Sequence, residues 1–377
     1  MTAYDAIVIG GGVVGASTAY HLARAGVHTL LIDRSDAGRA TDAGAGILST
    51  AANVDHAEPI ERFEARAAAY YSVLIEHLRE GEAGDTGYAA CGSLSVAIDD
   101  AELAHLREIM AGMRRWRAAK DHGYAEIGPD AASALFPPLA RVKGAIHCGR
   151  GARVDGRLLA GALLCAAGKR GLEVRHAAVA DLVVEHGAVA GVRSAGERIV
   201  CGHVVIAAGA WSKELGARLG IEIPVAPQRG QIVHLGLPGT DTGAWPIVVA
   251  FRGHYMVPWA DGRLAVGATR ETGSGFAPHT TAAGVIEVLT EALRVAPGLA
   301  GAEIREIRVG LRPARRDGLP ILGPVPGIGN LLLATGHGAA GLQLGPYSGK
   351  VIADKIAGGA AETEIAPFSL ARFTRPS

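Results

Sequence analysis

The stretch Tyr4-Asp5-Ala6-Ile7-Val8-Ile9-Gly10-Gly11-Gly12-Val13-Val14-Gly15 decides the fold. Ile7-Val8-Ile9 is a short apolar run of the kind a fully buried strand requires. It enters a glycine turn, and Ala16 to Ala25 then reads as a helix stopped by Gly26. Thr29-Leu30-Leu31-Ile32 is a second apolar run, ending at Asp33. Strand, turn, helix and strand in this order predict parallel pairing, with the helix crossing over one face.

Gly10, Gly12 and Gly15 have the spacing G-x-G-x-x-G. The first allows a tight turn, the second lets backbone approach a pyrophosphate, and the third lets helix pack closely on strand. Val13 and Val14 open the helix, whose free N–H groups and positive dipole end suit phosphate. Asp33 lies about 20 residues on, where a carboxylate accepts hydrogen bonds from ribose hydroxyls. Arg34 follows it. The carboxylate repels a 2′-phosphate, so an NADP-type ligand is disfavoured while FAD and NAD both fit. In a chain with 53 glycines the spacing alone is a weak signal, and the flanking strand, helix and acid give it weight.

The 377 residues suffice for two lobes. Residues 61–80 read as helix and 92–98 as strand. An amphipathic helix over 99–120 puts Leu103, Leu106, Ile109, Met110 and Met113 on one face. A helix over 154–169 precedes a strand at 172–174, hairpin strands at 179–185 and 189–193, and an apolar strand at 204–209. Residues 226–310 differ, with strands at 231–235, 247–251, 254–258 and 264–268 and one clear helix, 281–295. A strand at 330–335 and a helix over 341–357 return to the first pattern. The expected fold is α/β: a Rossmann-like dinucleotide domain (1–90, 150–225 and 310–377) interleaved with a mixed, mostly antiparallel β-sheet domain (91–149 and 226–309).

Apolar residues make up 49% of the chain and charged ones 20%, a globular balance. Acidic and basic residues cancel at 37 each, which leaves no electrostatic case for nucleic acid or an anionic membrane. No apolar run approaches the ~18–20 residues of a membrane span. The start lacks the basic and apolar stretches of a signal peptide, so a cytoplasmic protein is expected. Cys91, Cys148, Cys165 and Cys201 are scattered, with no C-x-x-C pair and no histidine at zinc-ligand spacing. Reduced thiols and no metal are expected.

Three later segments favour FAD. Residues 39–48 are rich in small side chains and let backbone N–H groups and Thr41 approach a large planar ligand. Ala208, Gly209 and Trp211 follow a buried strand at the ligand edge of the sheet. Residues 331–346 take a strand through a glycine-rich turn into the last helix, aiming its dipole at whatever sits before it.

With Gly310-Leu311-Arg312-Pro313, Asp317-Gly318-Leu319-Pro320-Ile321-Leu322-Gly323 and the turn from Thr335 to Pro346, the whole chain resembles the D-amino-acid oxidase (DAO) family. That family includes glycine oxidase, sarcosine oxidase and bacterial D-amino-acid dehydrogenases. The resemblance implies a glutathione-reductase-like FAD domain and a separate substrate sheet. It assigns Gly10, Gly12, Val13, Val14, Gly15, Asp33 and Arg34 to the ADP half and Val179 to the adenine. Thr41, Ala43, Gly46, Ile47, Ala208, Gly209 and Trp211 would line the rest of the cofactor, with Gly338, Ala340, Gly341, Leu342 and Gln343 beside the flavin ring. Sarcosine oxidases tether flavin through a cysteine near the Arg312 segment; none is present here, so the FAD is expected to be non-covalent.

The implied reaction is hydride transfer from the CH–NH group of a small amino or imino acid to flavin N5. The substrate would be a D-amino acid, glycine or an N-substituted glycine, and the imino product would hydrolyse to a keto acid. Arg312 is the expected carboxylate anchor, since a guanidinium binds a carboxylate through two parallel hydrogen bonds. Tyr255 matches a family tyrosine that helps bind the same carboxylate. Glycine oxidase has a further arginine in the turn before the last helix, where this chain has Ala339. Arg315 and Arg316 read as solvated or structural, His337 as a structural hydrogen-bonding group, and Gln228, Arg229 and Gln231 as lobe-interface residues. Molecular oxygen, a quinone or a partner protein would take the electrons, and homo- or hetero-oligomers are both compatible with the sequence. The alternative is a flavin-carrying subunit of a larger amino-acid or opine dehydrogenase complex, peripheral to the inner membrane.

Overall fold

The computed structural model describes residues 3–48, 58–115, 123–358 and 365–373. The elements that build the site are, in chain order, β1 (Tyr4–Ile9), α1 (Val13–Arg24), β2 (Thr29–Asp33), β3 (Glu197–Ile206), β4 (Val225–Gly236), β5 (Tyr255–Pro258), β6 (Arg263–Gly267), β7 (Glu303–Arg315), β8 (Leu331–Thr335) and α2 (Gly341–Ile356).

β1 lies at the centre of a parallel sheet. Ile9 faces Ile32 of β2 on one side and Ile206 of β3 on the other, and Ile206 in turn faces Leu333 of β8. Ile7, Leu30, Val204 and Leu333 are fully buried, as in strands covered on both faces. α1, α2 and the helices Pro59–Glu80 and Gly156–Gly168 cover one of those faces. The shared register brings the strand ends at Gly10, Asp33, Ala207 and Gly336 to one edge, where doubly wound sheets bind ligands.

β3 corrects the expected strand at 204–209. It begins at Glu197, where its first half pairs antiparallel with Ala188–Ser194, and it stops at Ile206. Residues Glu197 and Arg198 are exposed, so charge hid the first half of a strand whose second half is wholly apolar. Residues 209–211 form a short 3₁₀ turn instead.

α1 and α2 pack where side chains are small. A Cβ at Gly349 would lie 2.6 Å from Ser17 Oγ and from the Thr18 nitrogen. Pro346, inside α2, has no N–H for the carbonyl of Leu342 one turn back. The Tyr71 hydroxyl donates to that carbonyl.

The second sheet has nine strands among the described residues. Every pairing in it is antiparallel except that of Ser93–Ala97 with Ile247–Ala250. The chain is therefore α/β, a Rossmann-like domain interleaved with a mixed, mostly antiparallel sheet. The helix Ala282–Val295 buries Val288 and Val295 against Val233 and Val266 of this sheet. The helix expected over 99–120 is found at Asp100–Arg115, residues 116–120 and the Met113 side chain lying outside the described residues.

β7 has no counterpart in the sequence reading. It pairs with β4 from Glu303 opposite Gly236 to Arg315 opposite Val225. Its sequence mixes charges with Gly310 and Pro313, which obscures alternation. Pro313 is tolerated because β7 is an edge strand of this sheet. The domain boundary expected at 310 falls inside this continuous strand.

Candidate active site

One cavity is walled by residues of both sheets. At the end walled by the parallel sheet, the first turn is built for close approach. Gly10 has φ 109°, and a Cβ there would lie 2.5 Å from the Ala207 carbonyl oxygen. Gly12 caps α1 without a side chain, leaving first-turn N–H groups open towards the cavity. The Thr41 hydroxyl accepts from Val13 N at 3.0 Å, so it steadies the helix start as well as lining the wall. Gly15 is not on the wall; a Cβ there would overlap the Gly10 carbonyl, which is the packing role expected of a third glycine.

Asp33 also lines the cavity and is ion-paired to Arg39 at 2.7 Å. Arg39 binds Asp42 as well, at 3.0 Å. Val14 and Arg34 are on the wall, Arg34 held by Asp36 at 2.8 Å. Val179 is buried on the wall, and its carbonyl accepts from Arg218 at 2.9 Å.

Further along, Ala43, Gly46 and Ile47 face Ala208, Gly209 and Trp211 around the same cavity. Gly46, at φ 82°, leaves no room for a Cβ against the Val154 carbonyl. Gly338, Gly341 and Leu342 close it from the α2 side, whereas Ala340 and Gln343 are not on the wall. His337 is buried and shares a 2.9 Å hydrogen bond with Ser348. Burial, then the Arg315 charge, pushes its pKa down to about 3, which leaves it a neutral structural group. Thr335 donates to the Gly209 carbonyl at 3.0 Å, tying the two turns together.

The second sheet supplies the remaining wall. Arg312 reaches across from β7 and donates to the Thr269 carbonyl at 2.9 Å. Its guanidinium lies against Gly230 of β4, where a Cβ would come within 2.5 Å of Cζ. Tyr255 on β5 shares this wall with Arg312, and its hydroxyl would lie 3.2 Å from a Cβ at Gly267. Burial raises the Tyr255 pKa, with Arg312 and Arg270 opposing. Burial lowers that of Arg312, with Tyr255 opposing; a guanidinium starts so high that it stays charged. The surrounding segment is held by Glu271, which takes Arg229 at 2.6 Å, Gln231 at 2.7 Å and Thr269 at 2.8 Å.

A family model described as DAO, FAD dependent oxidoreductase, matches residues 5–355. The chain belongs to the DAO family of FAD-dependent oxidoreductases. The crystal structure of iminodiacetate oxidase from Chelativorans sp. BNC1 is 42% identical, with a TM-score of 0.90 over 97% of this chain and 98% of that one. Glycine oxidase from Geobacillus kaustophilus is 29% identical, with a TM-score of 0.88 over 99% of both chains. The uncharacterised oxidoreductase YurR of Bacillus subtilis (strain 168) is 38% identical over 363 residues, 96% of this chain and 97% of the relative.

As in the rest of the DAO family, the cofactor is FAD. The wall fits it, with two glycine turns at helix starts, a carboxylate at the end of β2 and backbone left bare where side chains would intrude. None of the four cysteines is on the wall. Ala339 is on it, so the further arginine of glycine oxidase is absent from the site as built. No helix among the described residues is long and apolar enough to cross a membrane.

Sequence reasoning missed Arg39, Arg218, Gly230 and Arg270, all on this wall. Gly230 carried a usable signal, because an isolated glycine within a strand marks close approach by another group. Arg270 carried none, lying just beyond the end of β6.

Proposed function

We propose that this DAO-family enzyme oxidises the CH–NH group of a small amino or imino acid, such as an N-substituted glycine, to the imino acid. The observation that carries the reading is the Arg312–Tyr255 pair on the wall of the cavity that also holds the nucleotide cradle. The likeness to an iminodiacetate oxidase and to glycine oxidases supports it.

Bound in the cavity, FAD supplies the hydride acceptor. Arg312 takes the two oxygens of the substrate carboxylate through parallel hydrogen bonds, and the Tyr255 phenol donates to one of them. That grip fixes the direction of the α-carbon hydrogen. The Arg312 charge disfavours an ammonium beside it, so the amine reacts in its neutral form: its lone pair forms the C=N bond as hydride leaves carbon, and the resulting iminium gives up its N–H proton to water. Water then adds to that bond and releases a carbonyl acid and an amine. No feature among the described residues favours the alternative of a flavin-carrying subunit.

The test is anaerobic bleaching of the yellow protein by glycine, sarcosine, iminodiacetate, D-alanine and D-proline. Arg312→Ala is expected to retain FAD and lose about 100-fold in kcat/KM, the scale of a charge-assisted hydrogen-bond pair. Unchanged kcat/KM in that variant would overturn the reading.

A further inference from the structure

One segment of the second domain reaches across to the first without taking part in the site described above. Residues 273–280 run between the short strand Glu271–Thr272, which pairs with Gln228 and Arg229 of β4, and Thr281, the N-cap of the helix Ala282–Val295. Both ends are fixed to β4. Arg229 holds Glu271 at 2.6 Å, and the Gln231 side chain accepts from Thr281 N at 2.9 Å. Among the described residues, the hydrogen bonds of the segment itself also return to β4. Arg229 donates to the Ala277 carbonyl at 3.3 Å and meets His279 at 2.9 Å.

Two side chains leave that frame. Phe276, 40% exposed, places its ring 5.6 Å from that of Trp211. Pro278 sits on bare backbone at Gly38, where a Cβ would lie 2.6 Å from the proline Cβ. Trp211 belongs to the turn after β3, and Gly38 to the loop after β2. These two strands flank β1, so the loops that follow them stand on either side of the Gly10–Gly15 turn. Trp211 is on the cavity wall, as are Asp36 and Arg39 beside Gly38. The Gly38 carbonyl also accepts from the nitrogen of Leu311, another wall residue, at 2.8 Å.

The segment therefore bridges both sides of the FAD cradle. Phe276 and Pro278 are not on the wall themselves, so they act through Trp211 and the loop at Gly38. An aromatic pair at this spacing attracts beyond the area it buries. Gly273 at φ 79° and Gly275 at φ 63° precede Phe276, with open space where a Cβ would stand. They give the chain the freedom to lift once both contacts are broken.

We propose that residues 273–280 are a strap that keeps FAD in its cradle, with Phe276 and Pro278 as its two feet. FAD leaves when the loops after β2 and β3 part, and the strap resists that parting. The inference rests on the cofactor and is independent of which amine is oxidised.

The experiment dilutes the full-length, FAD-loaded enzyme and follows released FAD by the recovery of its fluorescence. Phe276→Ala is expected to release FAD about 10-fold faster than wild type, the scale of one lost aromatic pair and part of its buried area. Phe276→Tyr keeps the ring and stays close to wild type, while Pro278→Ala speeds release in the same direction as Phe276→Ala. Ile286→Ala removes a side chain that is 65% exposed on the helix Ala282–Val295 of the same domain, and leaves release unchanged. Thermal unfolding gives a second reading. Phe276→Ala should have a lower Tm than wild type, and excess FAD should restore it, since mass action offsets a weaker grip on the cofactor. Wild-type release rates in both Phe276→Ala and Pro278→Ala overturn the strap. So does equal acceleration by Ile286→Ala, or a Tm deficit that excess FAD leaves in place, either of which would make Phe276 a packing residue only.

Discussion

A methyl group on Gly230 would sit 2.5 Å from the central carbon of the Arg312 guanidinium. The strand can keep its backbone in Gly230→Ala, since alanine is acceptable in a strand, but the guanidinium has to move. The expected result is a loss of about 10-fold or more in kcat/KM with FAD retained, since small misplacements of a positioning group are costly. Steady-state kinetics beside the flavin spectrum decide it, and wild-type kinetics would mean the seat is irrelevant. Tyr255→Phe removes one donor from the proposed carboxylate site and is expected to raise KM about 10-fold, within the range of a hydrogen bond to a charged group. Burial holds the phenol protonated, with Arg312 and Arg270 opposing, so the wild-type pH profile should show no Tyr255 ionisation near neutrality. Arg312 was legible because its segment, Gly310-Leu311-Arg312-Pro313, is local and distinctive. Gly230 and Arg270 acquire meaning only from strands that meet across long sequence separations.

At the level of elements, α2 depends on a repair made by another helix. Pro346 deprives the Leu342 carbonyl of its helical donor, and Tyr71, on the helix Pro59–Glu80, supplies one. Tyr71→Phe keeps the ring in the core and orphans the carbonyl. The expected cost is about 1–3 kcal/mol, the desolvation penalty of an unpaired buried acceptor. Thermal unfolding of the FAD-loaded protein checks it, and an unchanged Tm would show that water or backbone takes over. Elements whose pairing was written locally were legible, above all β1, α1 and β2, where a glycine turn joins two apolar runs. β7 was not, because an edge strand exposed on one side tolerates charge and proline, leaving too little alternation to read. β3 was half legible for a related reason: its first half is an exposed hairpin strand and its second half a buried parallel one.

Across the whole molecule, three buried imidazoles couple stability to acid. Burial lowers His21 to about 4, His234 to about 4 and His337 to about 3; hydrogen bonding of His21 to the Ser17 carbonyl opposes this, and nearby arginines add to it for the other two. Each folded-state value lies below the ordinary histidine pKa near 6.5, so the unfolded chain binds more protons than the folded one as pH drops. Their contribution is complete above about 6.5 and is lost as pH falls towards the folded values, roughly 3 kcal/mol each for His21 and His234 and roughly 5 kcal/mol for His337. Glu271 acts in a lower window. Burial tends to raise it, but hydrogen bonds from Arg229, Gln231 and Thr269 bring it below the usual carboxylate range, so its contribution is lost only in stronger acid. The protein should therefore hold its Tm between pH 8 and 7 and lose it steeply between about 6.5 and 4. His234 is the cleanest probe, because it lies on β4 away from the cavity wall and accepts from Arg263 at 3.3 Å. His234→Gln keeps an acceptor for Arg263 and removes the proton-binding ring, so its Tm should fall less with acid than that of the parent. Parallel Tm curves for the two proteins between pH 6.5 and 4 would show that this imidazole does not drive the acid transition.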